Sequence, residues 1–113
     1  MAARRGRNLK TNLPGLNMII STITDKGITL TGHANYAPAG KDIVCACVSA
    51  IWQTFTACCE GDIYDGTDIH TYEKPKEETE REKVLFEALV TGLELVAGAY
   101  PNHIRIIKKD AKA

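Results

Sequence analysis

From Met18 to Thr24 the chain reads MIISTIT, a run rich in β-branched residues; Asp25-Lys26-Gly27 then breaks it, and residues 28–31 (ITLT) alternate apolar and polar positions. β-Branched composition with a two-residue period predicts paired strands, and the polar break supplies the turn of a hairpin. Beyond a loop the period changes. Val44, Val48, Ile51, Phe55 and Cys58 recur at three- and four-residue intervals, which predicts a helix starting at Ile43, capped by Asp42, with that stripe on the core and an end at Gly61. Glu60 to Asp68 is acidic and turn-rich, with Asp65-Gly66 as the reversal, and Ile69 to Glu73 reads as a short strand. A second helix is predicted from about Glu77 to Ala99, acidic in its first turn as suits the helix dipole, supported by an i, i+4 pair of Glu77 and Arg81, and stopped by Pro101. Its buried face is assigned to Leu85, Ala88, Leu89, Gly92 and Val96. His103 to Lys108 (HIRIIK) makes a last strand. The order β-β-α-β-α-β predicts an α+β fold, a small mixed β-sheet with two helices packed on it.

Composition narrows this picture modestly. At 113 residues, with 44% apolar and 25% charged residues, the chain suits one domain whose core stands without metal or disulfides. No apolar run approaches the ~20 residues of a membrane span, and the start lacks the apolar stretch of a secretory signal, so a cytoplasmic location is expected. The formal net charge of zero conceals an asymmetry: residues 1–17 hold Arg4, Arg5, Arg7 and Lys10 and no acidic residue, which leaves ten basic against fourteen acidic residues in the remainder. That segment is expected to be a disordered basic leader preceding a single domain at 18–113, its four basic side chains offering the chain's one contact for nucleic acid.

Cysteines fall at 45, 47, 58 and 59, all in the first predicted helix. Such crowding does not suit a disulfide framework. Cys45 and Cys58 would stand about 20 Å apart along the helix axis, too far to share a zinc ion, and there is no CxxC pair. No metal and no cofactor is expected. The chemistry instead concentrates between Gly32 and Ala50 (GHANYAPAGKDIVCACVSA), which places His33 at the end of a strand and Cys45 in the first turn of a helix. A thiol becomes a strong nucleophile when ionised; a helix N-terminus favours the thiolate, a nearby imidazole takes the proton, and the first backbone amides of the helix are available to an oxyanion. On the helical wheel Cys45 sits about a quarter turn from the apolar stripe and shares its rim with Ser49, while Cys47 projects nearly opposite, about 200° away. Cys58 and Cys59 are too far along to feel the dipole. The bland alternative is a buried small thiol and a polar loop histidine.

Gly32-His33-Ala34, Gly40, Asp42-Ile43-Val44-Cys45-Ala46 and Val48-Ser49-Ala50, in that order and spacing, resemble the signature of the ribosomal-processing cysteine protease (Prp) family. The resemblance spans Met18 to Lys109 and leaves out residues 1–17. It implies that His33 and Cys45 are the catalytic pair, that Asp42 and Ser49 support the site, and that the loop with Gly32, Ala34, Asn35, Tyr36 and Gly40 gates access for a peptide. It further implies a homodimer that removes an N-terminal extension from a large-subunit ribosomal protein, or, in some relatives, processes a phage capsid or scaffold protein. Cys47 departs from the pattern, standing where a small residue is usual, and Cys58 and Cys59 are extra thiols.

Two other classes fit less of the chain: a non-catalytic ribosome- or RNA-binding module using the leader, and a thiol redox sensor. His70 and His103 read as surface or half-buried residues and Trp52 as packing on the rim of the first helix. Asp62, Asp65 and Asp68 lack the spacing of a calcium loop.

Overall fold

The computed structural model describes residues 18–34, 37, 38 and 40–109. The basic segment 1–17, with Arg4, Arg5, Arg7 and Lys10, and the loop positions Asn35 and Tyr36 lie outside the described residues. Five strands and two helices follow one another as β1 (Ile19–Thr24), β2 (Gly27–Thr31), α1 (Ile43–Cys58), β3 (Asp62–Asp65), β4 (Ile69–Glu73), α2 (Glu80–Ala99) and β5 (Ile104–Lys108). They form one mixed sheet in the order β3-β4-β2-β1-β5, antiparallel except where β1 and β5 run parallel. The α+β class with two helices on a small mixed sheet is as the sequence predicted. The added element is β3. Its four residues are half-buried or exposed, so the period-two signal is drowned by Asp62 and Asp65, and a short acidic edge strand results.

Register determines which side chains meet the helices. Ile23 pairs with Ile28, Ile28 with Tyr72, and Tyr72 with Ile63, so all four share one face. On that face Ile19, Ile28, Leu30, Tyr72 and Ile104 pack against Val44, Val48, Trp52 and Phe55 of α1 and Leu89 and Leu93 of α2. The other face carries Thr22, Thr29 and Thr71 side by side. The apolar stripe of α1 differs from the predicted one in its second half. Trp52 is buried, Ile51 is half-buried and Cys58 is exposed. Ile51 and Cys58 turn instead to the groove between the helices, where Ile51 contacts Gly92. On α2 Leu89 is buried as expected and Leu93 joins it, whereas Leu85, Gly92 and Val96 are half-buried and Ala88 is exposed.

The far end of α1 is tied down by a buried carboxylate. α2 starts at Glu80, three residues later than expected, because Thr79 is the N-cap and accepts from the Glu82 N–H at 3.1 Å. Glu82 is fully buried. Its carboxylate accepts from the amides of Glu60 (2.9 Å) and Gly61 (3.1 Å) and from the Tyr72 hydroxyl (2.8 Å). Gly61 has no room for a side chain: a Cβ there would meet the Glu73 carbonyl and the Tyr72 ring. Burial works to raise the Glu82 pKa, but the Tyr72 hydroxyl and the two amides outweigh it, leaving Glu82 below the ordinary carboxylate value. Burial, then the bond to Glu82, pushes the Tyr72 phenol far up. Arg81 donates to the Cys58 carbonyl at 3.0 Å and so does not need the expected Glu77 pair.

These buried polar groups lead to two expectations about stability. Glu82→Gln places an amide group where three donors converge and should cost about 3 kcal/mol at neutral pH. A carboxyl with a depressed folded pKa contributes stability above its unfolded value, near 4.5, and loses it as pH falls through the folded value. The gap between wild type and Glu82→Gln in denaturant titrations should therefore be constant from pH 7 to 5 and shrink below pH 4.5. By contrast, Ser21 is fully buried on β1 and its hydroxyl has no hydrogen-bond partner among the described residues. Ser21→Ala should leave the urea midpoint unchanged or raise stability by up to about 1 kcal/mol.

Candidate active site

α1 begins where the sequence places it. Asp42 has extended backbone angles and its side chain accepts from the Cys45 N–H at 2.9 Å, while its carbonyl receives the first intrahelical bond, from Ala46. Cys45 therefore lies in the first turn, half-buried against the core. The chain approaches from β2 through Gly32, whose φ of 86° belongs to the left-handed region that favours glycine. After this bend His33 is exposed and Ala34 is fully buried.

Ala34 brings the strand end to the helix start. Its N–H donates to Cys45 Sγ at 3.4 Å, and its carbonyl accepts from His103 Nδ1 at 2.9 Å. A carbonyl only accepts, so the proton of His103 sits on Nδ1. His33, Cys45 and Ser49 line two adjoining cavities. One, of about 530 Å³, is bounded by Ala37, Gly40 and Lys41 from the loop and by Asp42 and Ile43. The other, of about 190 Å³, is more enclosed and has Ile19, Leu30, Val48 and Trp52 at its apolar side, with Thr67 and His70 at its edge. Asp42 and Ser49, expected to support the site, thus both reach the cleft, the first as the cap of Cys45 and the second one turn further on. Of the loop residues, Gly32 and Gly40 line the cleft and Ala34 lies against Cys45.

One expectation needs correction. The amide of Cys45 does not wait for an oxyanion, because Asp42 already occupies it. Helix geometry leaves the preceding amides, of Ile43 and Val44, ahead of the first intrahelical bond. The electrostatics at the sulfur also pull two ways. The helix dipole and the Ala34 N–H favour negative charge there, whereas the Asp42 carboxylate on the same turn opposes it.

Three partners of the site escaped the sequence reading. Asp68 Oδ1 lies 2.7 Å from His33 Nε2. Asp65 Oδ1 accepts from Trp52 Nε1 and from His70 Nδ1, both at 2.8 Å, and the His70 ring, then Trp52, holds its carboxyl below the usual range. His103 serves as the clamp on Ala34. Asp65 and Asp68 were legible only as a turn, since their partners are His33 beyond β2, Trp52 on α1 and His70 on β4. Among the described residues no group of three metal-ligating side chains converges.

The model of the family described as cysteine protease Prp matches residues 18–105. The chain belongs to that family. It is 34% identical over 93 residues to the ribosomal processing cysteine protease Prp of Mycoplasma genitalium, covering 79% of this chain and 94% of the relative. Against the protein of the same name from Bacillus subtilis it is 32% identical over 109 residues, covering 79% and 96%. Among solved structures, the Staphylococcus aureus ribosomal processing protease Prp with a covalently linked product peptide superposes with a TM-score of 0.75 at 24% identity, over 81% of this chain and all of that one. The same enzyme with a substrate peptide gives 0.66 at 20% identity, over 81% and 98%. The chain is accordingly a cysteine protease of the Prp family.

The four thiols of this protease give a sharp test, because exposure and activation rank them differently. Cys47 and Cys58 are exposed, while Cys45 and Cys59 are half-buried. Burial, followed by the nearby Glu82 charge, pushes the Cys59 thiol up, which makes it less reactive. Limited iodoacetamide labelling at pH 7 followed by peptide mapping should find Cys45 modified first and Cys59 last. Labelling that follows exposure alone, with Cys47 and Cys58 first, would count against activation of Cys45.

Proposed function

We propose that this Prp-family protease removes a short N-terminal extension from a large-subunit ribosomal protein, with Cys45 as nucleophile and His33 as general base. The observation that carries this reading is the meeting of strand end and helix start: the residue after His33 donates its amide to Cys45 Sγ, and both side chains open on the same cleft. The names of the two curated relatives, each about a third identical over nearly its whole length, favour ribosomal processing over another protein substrate.

The steps balance as ordinary acyl transfer. The Cys45 proton passes to His33, the sulfur adds to the carbonyl carbon, and the developing oxyanion is met by amides at the start of α1. The imidazolium then protonates the departing amine. Water, deprotonated by the same ring, hydrolyses the thioester and restores the thiol. A peptide crossing Cys45 would have side chains on either side of the scissile bond facing the two cavities. Their apolar side, with Ile19, Leu30, Val48 and Trp52, suits an apolar residue.

The family also points to a homodimer working in the cytoplasm. Among the described residues no helix is long and apolar enough to cross a membrane. Light scattering of the purified protein reads the oligomeric state directly. The function itself is tested by incubating the protein with a synthetic peptide spanning the N-terminal extension of the ribosomal protein and reading fragment masses. A single cut is expected, with its rate reduced at least about 100-fold in both Cys45→Ala and His33→Ala. Unchanged cleavage in either variant would exclude the assigned pair.

A further inference from the structure

The base of the proposed reaction is gripped by a residue 35 positions away in sequence. Strands β2 and β4 pair as far as Thr31 and Ile69, and the pairing continues one step further, where the Gly32 amide donates to the Asp68 carbonyl at 3.2 Å. The Asp68 carboxylate then meets His33 Nε2 at 2.7 Å. One residue thus holds both the backbone leading into His33 and the ring itself. A carboxylate accepts and does not donate, so the Nε2 atom carries the ring proton, and in the neutral imidazole the basic nitrogen is Nδ1.

We propose that Asp68 is a positioning residue for His33: it selects the Nε2–H tautomer and restrains the ring, so that Nδ1 takes the proton from Cys45 Sγ. The proposal rests on the reading of His33 as the base. The exposure of the pair separates this role from a structural one. The His33 and Asp68 side chains are 61% and 67% exposed, and a surface pair of this kind contributes little to folding. Removing the carboxylate should therefore leave the fold intact and act on the chemistry. Asp65, three residues earlier, is committed elsewhere, its Oδ1 taking Trp52 and His70.

The test compares wild type, Asp68→Ala, Asp68→Asn and His33→Ala in two assays. One is cleavage of the ribosomal N-terminal peptide; the other is the rate of Cys45 alkylation by iodoacetamide at pH 7, which needs no substrate. Asp68→Ala should melt within about 2 °C of wild type. Its kcat should fall about 10- to 100-fold with KM within about twofold, as expected when a reacting group is misplaced while substrate binding is preserved. Alkylation of Cys45 should slow in parallel. Asp68→Asn keeps an oxygen that accepts from Nε2–H but lacks the charge that stabilises the imidazolium, and should recover part of both rates. If Asp68→Ala keeps wild-type kcat and alkylation while His33→Ala loses them, Asp68 has no positioning role and the base assignment stands. Equal losses in Asp68→Asn and Asp68→Ala would likewise overturn the hydrogen-bond mechanism. Wild-type rates in His33→Ala would remove the base assignment, and the role of Asp68 with it.

Discussion

Ala34 occupies the point at which three elements of the protein meet. Its amide faces the Cys45 sulfur, its carbonyl takes the His103 ring N–H, and the His103 carbonyl in turn accepts from the amide of Ile19 at the start of β1. The end of β2, the start of α1 and the turn after α2 are therefore coupled through one residue with no solvent access. A side chain larger than methyl would have to push one of these elements away, and overpacking of a filled site typically costs about 1–3 kcal/mol. The same constraint sets the exposure of its neighbour. In an extended segment adjacent side chains point to opposite sides, so burying position 34 turns His33 outward into the cleft.

A sulfur carried on a helix is only as well placed as the helix. α1 is held at three points along its length. Asp42 caps its first turn, the Trp52 indole is bonded to Asp65 on β3, and the turn after its last residue is threaded onto the Glu82 carboxylate. Arg81, next to Glu82, also takes the Cys58 carbonyl, one of those that no intrahelical amide can reach. Phe55 packs edge-to-face on Tyr72 with ring centroids 4.7 Å apart, which joins the helix to the residue that also donates to Glu82. Sliding or rotating α1 would break charge-assisted bonds at its ends and aromatic packing between them together. The buried carboxylate at the back of the domain thus bears on the geometry of the thiol at the front.

What could be read from the sequence was what is encoded locally. The two-residue period of 18–31 marks the hairpin, and the cap at Asp42 and the start of α1 at Ile43 match the structure to the residue. The structure also gathers His33, Cys45, Asp42 and Ser49, all drawn from one short stretch of chain, around one cleft. The start of α2 was misplaced because the charged and polar residues after Pro75 resemble a helical first turn. The signal present was Thr79-x-x-Glu82, the pattern of a capping box, although here the Glu82 side chain leaves its own helix to bind the α1 turn. A charged helix start ordinarily faces solvent, and Glu82 departs from that rule because it is fully buried. Asp68, Asp65 and His103 carry no local pattern at all. Their roles arise from strand pairings and a closing turn that bring together residues separated by 35, 13 and 69 positions.

The carboxylates around the cleft combine geometry with charge. Asp42 places a negative charge on the turn that carries the thiol, which taken alone would disfavour a thiolate. Its cost is offset where it arises, because the carboxylate is bonded to the Cys45 amide at the positive end of the helix dipole and fixes the first turn. On the proposed mechanism Asp68 places a second negative charge beside the imidazole, where it stabilises the ring once that ring has taken the sulfur's proton. On the proposed mechanism the two acids therefore act at different moments. Asp42 shapes the resting site at some electrostatic expense to the nucleophile, and Asp68 returns stabilisation when charge separates between sulfur and ring. Such a pair favours the ion-paired state over the neutral one only if both carboxylates stay in register, which is why the backbone grip of Asp68 on Gly32 belongs to the chemistry as much as its side chain does.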